Sequence, residues 1–162
     1  MGSTVIEYWD AFDAEERPLG WLLKRGESVP EGVYHLVSQI WVRNAKGEFL
    51  VQKRAEHLKH MPGLWASTGG SALEGAAREL KEEIGVEMSG EAFELVFKSR
   101  GNDAIFYNWL AEWEGYSEAL EFQLEEVSEV KWVSKEWILS GVREGWFFDY
   151  GEDVFEKVGV LG

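Results

Sequence analysis

Apolar and polar residues in this chain alternate with a period near two over most of its length, and switch to a helical period in three places. Residues 5–12 (VIEYWDAF) and 19–24 (LGWLLK) read as strands joined by a turn, which predicts an N-terminal hairpin over about 5–24. A loop over 26–32, marked by Pro30 and Gly32, leads into a long apolar strand at 34–43 (YHLVSQIWVR). The tight turn Asn44-Ala45-Lys46-Gly47 connects it to a strand at 48–54, the clearest hairpin in the sequence. A polar loop over 55–63 follows, then a short strand at 64–68 (LWAST) running into Gly69 and Gly70. Further strands are predicted at 93–99, 104–113 and 127–133, with Gly101-Asn102-Asp103 as a turn. Ser134 caps a short helix over 134–141, and a last helix is predicted around 149–158. Strands in a mixed sheet with helices after the central strands and at the C-terminal end predict an α/β sandwich, formed by one domain over residues 1–162.

The first helical stretch carries the chemistry. Residues 73–84 show a 3.6-residue period in which Ala77, Leu80 and Ile84 share an inward face. Gly85 follows as a C-terminal cap. Glu79, Glu82 and Glu83 stand at i, i+3 and i+4, so their carboxylates share one face. Three clustered carboxylates repel one another unless a cation sits among them, and Mg²⁺ or Mn²⁺ suits oxygen ligands. The plainer reading is a solvated acidic face paired with Arg78 and Lys81.

Composition narrows the partners. The 162 residues carry a formal net charge of −14, and no basic stripe interrupts it. Such a chain repels nucleic acid and anionic membrane surfaces, so neither is expected as a partner. A phosphate ester could approach the acidic helix only across a bridging metal. The chain has no cysteine, which excludes disulfides, thiolate metal sites and a cysteine nucleophile. No run of about 18 apolar residues spans a membrane, and no signal pattern opens the chain, so a cytoplasmic protein is expected. Self-association into a homodimer stays open.

The stretch Arg78-Glu79-Leu80-Lys81-Glu82-Glu83-Ile84-Gly85-Val86 resembles the second half of the Nudix box at every fixed position. The first half departs. Counted from Gly70, the box would place its arginine fourteen residues on, at position 84, whereas the arginine stands at 78, six residues early. The first glutamate of the box has Glu74 as its nearest substitute. The resemblance extends to Leu50–Arg54, to Pro62-Gly63-Leu64-Trp65 and to the segment 125–133, and residues 8–36 resemble the isopentenyl-diphosphate isomerase branch of the family.

The resemblance implies a Nudix fold, an α/β/α sandwich with a curved mixed sheet. It implies a Mg²⁺- or Mn²⁺-dependent pyrophosphohydrolase that cleaves the diphosphate bond of a small nucleoside diphosphate derivative. On it, Glu79, Glu82 and Glu83 are metal ligands, and one of Glu82 and Glu83 is the base that takes a proton from water. Arg78 either fixes Glu79 through a bidentate pair or is a solvated helix arginine. Gly69 and Gly70 either let the backbone approach metal and substrate or form an ordinary turn. Arg54 is a phosphate contact or a surface charge. Glu125, Glu126 and Asp103 are weaker candidates, and His57 with His60 reads as a solvated loop pair. Trp65 is expected beneath the glycines, with Trp41, Tyr107 and Trp109 as core or pocket wall. Isomerase chemistry is disfavoured because that branch uses a cysteine that this chain lacks. A third reading, a catalytically weak nucleotide-binding module, follows from the shortened box.

Overall fold

A computed structural model describes residues 7–58, 61–70 and 73–161, with the side chains at 69, 70, 73–76, 83 and 90 outside the described part. Two strands, β1 (Tyr8–Phe12) and β2 (Pro18–Lys24), form an antiparallel ribbon. The other seven build one sheet: β3 (His35–Arg43), β4 (Phe49–Arg54), β5 (Trp65–Ala66), β6 (Thr68–Gly70), β7 (Glu94–Arg100), β8 (Ala104–Glu112) and β9 (Val127–Val133). Among the described residues three α-helices complete the order: α1 (Leu73–Ile84), α2 (Lys135–Glu144) and α3 (Glu152–Val158).

The sheet is mixed. β3 runs parallel to β8 from His35–Ala104 to Arg43–Glu112, whereas the other pairs are antiparallel. On its other edge β3 divides its ladder: Ser38, Gln39 and Ile40 pair with β6, and Val42 and Arg43 pair with β4. β4 divides likewise, with β9 on one side and β3 and then β5 on the other. The shared strand therefore holds the glycine-bearing β6 and the β4 hairpin against one another.

The period of two sorts the core into two layers. Ile40, Val42 and Leu50 face α1, where they meet its Leu80 and Ile84, together with Val86, Ala111, Val127 and Val130. Trp41, Phe49 and Val51, one residue out of phase, face α2 and α3 and pack on Ile138, Phe147, Val154, Phe155 and Val158. Leu80 and Ile84 are each 1% exposed, which fixes the rotation of α1 about its axis. The result is the α/β/α sandwich expected from the sequence. Trp41 is core, as expected, while Trp65 packs on Trp137 in the α2–α3 layer rather than beneath the glycines. Tyr107 and Trp109 are half-buried and stack on each other on β8.

Most strand boundaries differ from the sequence reading by a residue or so, and larger differences fall around β5–β6, α2 and α3. The strand expected at 64–68 divides into β5 and β6, and β6 takes in Gly69 and Gly70, which continue the ladder with Gln39 and Ser38 instead of turning. α2 extends to Glu144, where Gly145 at φ 85° ends it in the left-handed conformation. α3 begins at Glu152 because Asp149 is used in a turn, its Oδ1 accepting from Gly151 N at 2.9 Å. The hairpin at 5–24 is present as β1 and β2, with residues 1–6 outside the described residues. It docks through Trp9, which stacks on His35 at 3.9 Å, and through paired Phe12 and Tyr34.

Candidate active site

α1 leaves β6 after two residues and packs back against it and against β3. Its helical period satisfies the core with Leu80 and Ile84, which turns the other faces outward. Glu79 is half-buried and Glu82 is exposed. Successive helical residues differ by about 100°, so Glu79 and Glu82 lie about 60° apart around the helix, on the side away from Leu80. Glu83 belongs to the helix backbone between them and Ile84, and its side chain lies outside the described part. Arg78 places its Nε 4.0 Å from Glu82 Oε1, one turn along, so the described partner is Glu82 where the sequence reading named Glu79. Both side chains keep at least half of their surface in water, which makes the pair weak on its own.

A cleft of about 410 Å³ opens beside the C-terminal half of α1, lined by Lys81, Glu82, Gly85, Glu87, Glu121, Phe122 and Gln123. Sequence reasoning missed its far wall, residues 121–123. No sequence signal points to it: Gly85 reads as a helix cap, and only the folded chain brings its position so close that an added Cβ would lie 2.9 Å from the Glu121 carbonyl oxygen. Lys81 reaches Glu87 at 3.3 Å, and Glu82 and Glu121 leave the cleft acidic.

The remaining predicted residues are spread over other parts of the fold. Gly69 and Gly70 sit on β6, opposite Gln39 and Ser38, at the root of α1. Arg54 ends β4; its N–H donates to Leu64 O at 2.9 Å and its carbonyl accepts from Gly63 N at 3.1 Å. Burial holds the Tyr150 hydroxyl pKa above its ordinary value, against lowering by its hydrogen bonds from Ser67 and, last, by the Arg54 charge. Glu125 and Glu126 are exposed, and Glu126 is engaged through its carbonyl, which accepts from Ala55 N at 3.0 Å. Asp103 likewise contributes its carbonyl, to His35 N. His57 lies in an exposed turn, and His60 lies outside the described residues.

Carboxylate oxygens are the donors that a hard divalent cation takes, so Glu79 and Glu82 suit Mg²⁺ or Mn²⁺ in kind. Among the described residues no three His, Asp or Glu side chains close into a ready-made cage. Glu79 and Glu82 are among those residues, and the Glu83 side chain lies outside them.

Comparison with known proteins decides the family. The NUDIX domain model matches residues 33–150, from the segment before β3 to Tyr150. The chain belongs to the Nudix family. It is 30% identical over 152 residues to the Nudix hydrolase lmo0368 of Listeria monocytogenes, covering 90% of each chain. It is 29% identical over 145 residues to an isopentenyl-diphosphate Delta-isomerase of Escherichia coli, covering 80% of this chain and 78% of that one. The fold matches the crystal structure of DR0079 from Deinococcus radiodurans with a TM-score of 0.73 at 18% identity, over 93% of this chain and 99% of that one. With relatives named as Nudix hydrolases spanning this much of its length, the protein is a Nudix hydrolase.

Proposed function

We propose that this Nudix hydrolase is a Mg²⁺- or Mn²⁺-dependent pyrophosphohydrolase that cleaves the diphosphate bond of a small nucleoside diphosphate derivative, with water attacking phosphorus. The observation that carries the reading is the rotation of α1. Leu80 and Ile84 are locked in the core, and Glu79 and Glu82 are thereby held on the other side of the helix, with Glu82 at the wall of an open cleft. Glu79, Glu82 and Glu83 hold the metal, and the Gly69 carbonyl lies at the root of the same helix and joins them. A bound divalent ion neutralises the diphosphate against this acidic surface and lowers the pKa of attacking water. Glu82 or Glu83 takes the proton from that water. Arg78 restrains Glu82 in the orientation needed for this, and Arg54 and the Gly70 backbone contact the diphosphate oxygens.

The net charge of −14 disfavours a polyanionic nucleic acid and suits a small substrate neutralised by metal. No helix among the described residues is long and apolar enough to cross a membrane, and a cytoplasmic site of action is part of this proposal.

A second reading, isomerisation of isopentenyl diphosphate, is favoured by the likeness to the Escherichia coli isomerase. It is opposed by the absence of cysteine from the chain. One experiment separates the two. The protein is incubated with nucleoside di- and triphosphates, dinucleoside polyphosphates, nucleotide sugars, NADH and isopentenyl diphosphate, each with Mg²⁺ and with chelator. Release of mononucleotide or phosphate only with Mg²⁺ supports hydrolysis. Formation of the allylic isomer, or turnover that survives chelation, contradicts it.

A further inference from the structure

The chain segment between α2 and α3 runs beside β5 as a parallel strap. Trp65 N donates to Trp146 O at 3.0 Å, Phe148 N donates to Trp65 O at 2.9 Å, and Trp65 bridges Phe147. In a continuing parallel ladder the next rung would run from Ser67 N to the Phe148 carbonyl. It does not. Ser67 N donates instead to the Tyr150 hydroxyl at 3.0 Å, and Ser67 Oγ bonds the same oxygen at 3.0 Å. A side-chain oxygen has taken the place of a backbone carbonyl at the junction between β5 and β6. The Tyr150 ring is fixed for this by edge-on contacts to Phe148 at 4.6 Å, Trp41 at 4.8 Å and Phe155 at 6.0 Å. Ser67 is 6% exposed, so water is a poor replacement for the lost acceptor.

We propose that Tyr150 is a positioning residue for the metal-binding box: its hydroxyl holds Ser67, and through Ser67 the Thr68–Gly70 strand from which α1 departs. The proposal rests on the metal-dependent reading given above. Ser67 is two residues from Gly69, and only residues 71 and 72 separate β6 from α1, so a shift at Ser67 is passed to the backbone on which the ligands stand. The aromatic α3 layer is thus tied to the acidic helix on the far side of the sheet by one hydroxyl.

The test is Tyr150→Phe, which keeps the ring and removes the acceptor. Mn²⁺ binding is measured by electron paramagnetic resonance, and Mg²⁺-dependent hydrolysis is measured on whichever substrate the parent turns over. Partners that orient metal ligands typically change metal affinity or activity by about 10- to 100-fold when removed. Tyr150→Phe is therefore expected to weaken Mn²⁺ binding and raise the half-activating Mg²⁺ concentration by at least about tenfold, with KM unchanged at saturating Mg²⁺. Ser67→Ala, which leaves the N–H bond in place, shifts both in the same direction by less, and serves if Tyr150→Phe does not fold. Val154→Ala, a core truncation in α3, controls for destabilisation and leaves both metal readouts where they were. Unchanged Mn²⁺ affinity and Mg²⁺ dependence in folded Tyr150→Phe and Ser67→Ala overturn the positioning role alone. A parent protein that binds no Mn²⁺ and needs no Mg²⁺ overturns the metal-dependent reading itself.

Discussion

Gly85 closes the acidic helix, and replacing it with alanine separates two costs that the structure assigns to this turn. Its φ of 79° lies in the left-handed region, where a residue with a Cβ costs about 1–2 kcal/mol. The added Cβ would also stand 2.9 Å from the Glu121 carbonyl oxygen, a backbone atom that cannot rotate away. Forcing a group into a packed contact costs about a further 1–3 kcal/mol. Gly47 provides the internal reference: its φ is 80°, and nothing lies within 4 Å of the position its Cβ would take. Gly47→Ala therefore carries the dihedral cost alone, about 1–2 kcal/mol, and Gly85→Ala about 2–5 kcal/mol. The difference corresponds to a melting temperature lower by about 2–12 °C in a domain of this size. Urea titration at constant slope, with thermal unfolding beside it, reads both variants against the parent. Equal destabilisation of the two variants within about 0.5 kcal/mol, the usual range of neutral surface changes, would refute the close approach of Gly85 to residue 121. It would also remove the far wall of the cleft beside Glu82.

Other expectations follow from the site and its surroundings. Glu83→Gln is expected to abolish Mg²⁺-dependent hydrolysis while leaving the unfolding midpoint near that of the parent; equal activity in mutant and parent sinks the assignment of this helix. His35 has its pKa lowered from 6.5, first by burial and then by Arg25, against an opposing pull from Asp103. Its neutral form is favoured on folding, so the contribution is full above pH 6.5 and is lost as pH falls from there toward the lowered folded pKa. His35→Gln is expected to flatten that part of the stability profile, and an unchanged slope in urea melts across it counts against the docking of the ribbon through Trp9 and His35. Lys131 sets its ammonium 4.7 Å from the Trp65 ring and 4.5 Å from the Trp137 ring. Lys131→Met is expected to cost about 1 kcal/mol by urea titration, and no change would show that these cation–π contacts contribute nothing.

Much of this architecture is legible in the sequence because each residue's periodicity has a single solution. Ile40, Trp41 and Val42 point alternately to two different layers, and both layers are needed to bury them. Ala77, Leu80 and Ile84 demand a helix whose opposite side is acidic. The division of β3 between β6 and β4 was not legible, because it depends on which strands meet after folding rather than on any local pattern. The two readings of Gly69 and Gly70 stay open in the sequence for a related reason: glycine permits a turn, and only the register with Ser38 and Gln39 shows that the strand continues through them. Arg78 is adjacent in sequence to Glu79, yet a helix brings residues four apart together, and it reaches Glu82. Ser67 and Tyr150 are 83 residues apart, a contact that no spacing rule anticipates.

The most direct measurement is a Mg²⁺ titration of diphosphate hydrolysis by the chelator-treated parent and by Glu82→Gln, on the best substrate from the panel. The expected result is no turnover without metal, saturable activation by Mg²⁺ in the parent, and loss of that activation in Glu82→Gln with the fold retained. Hydrolysis that proceeds in chelator, or a Glu82→Gln titration curve that superimposes on the parent's, would contradict the assignment of α1 as the metal-binding helix.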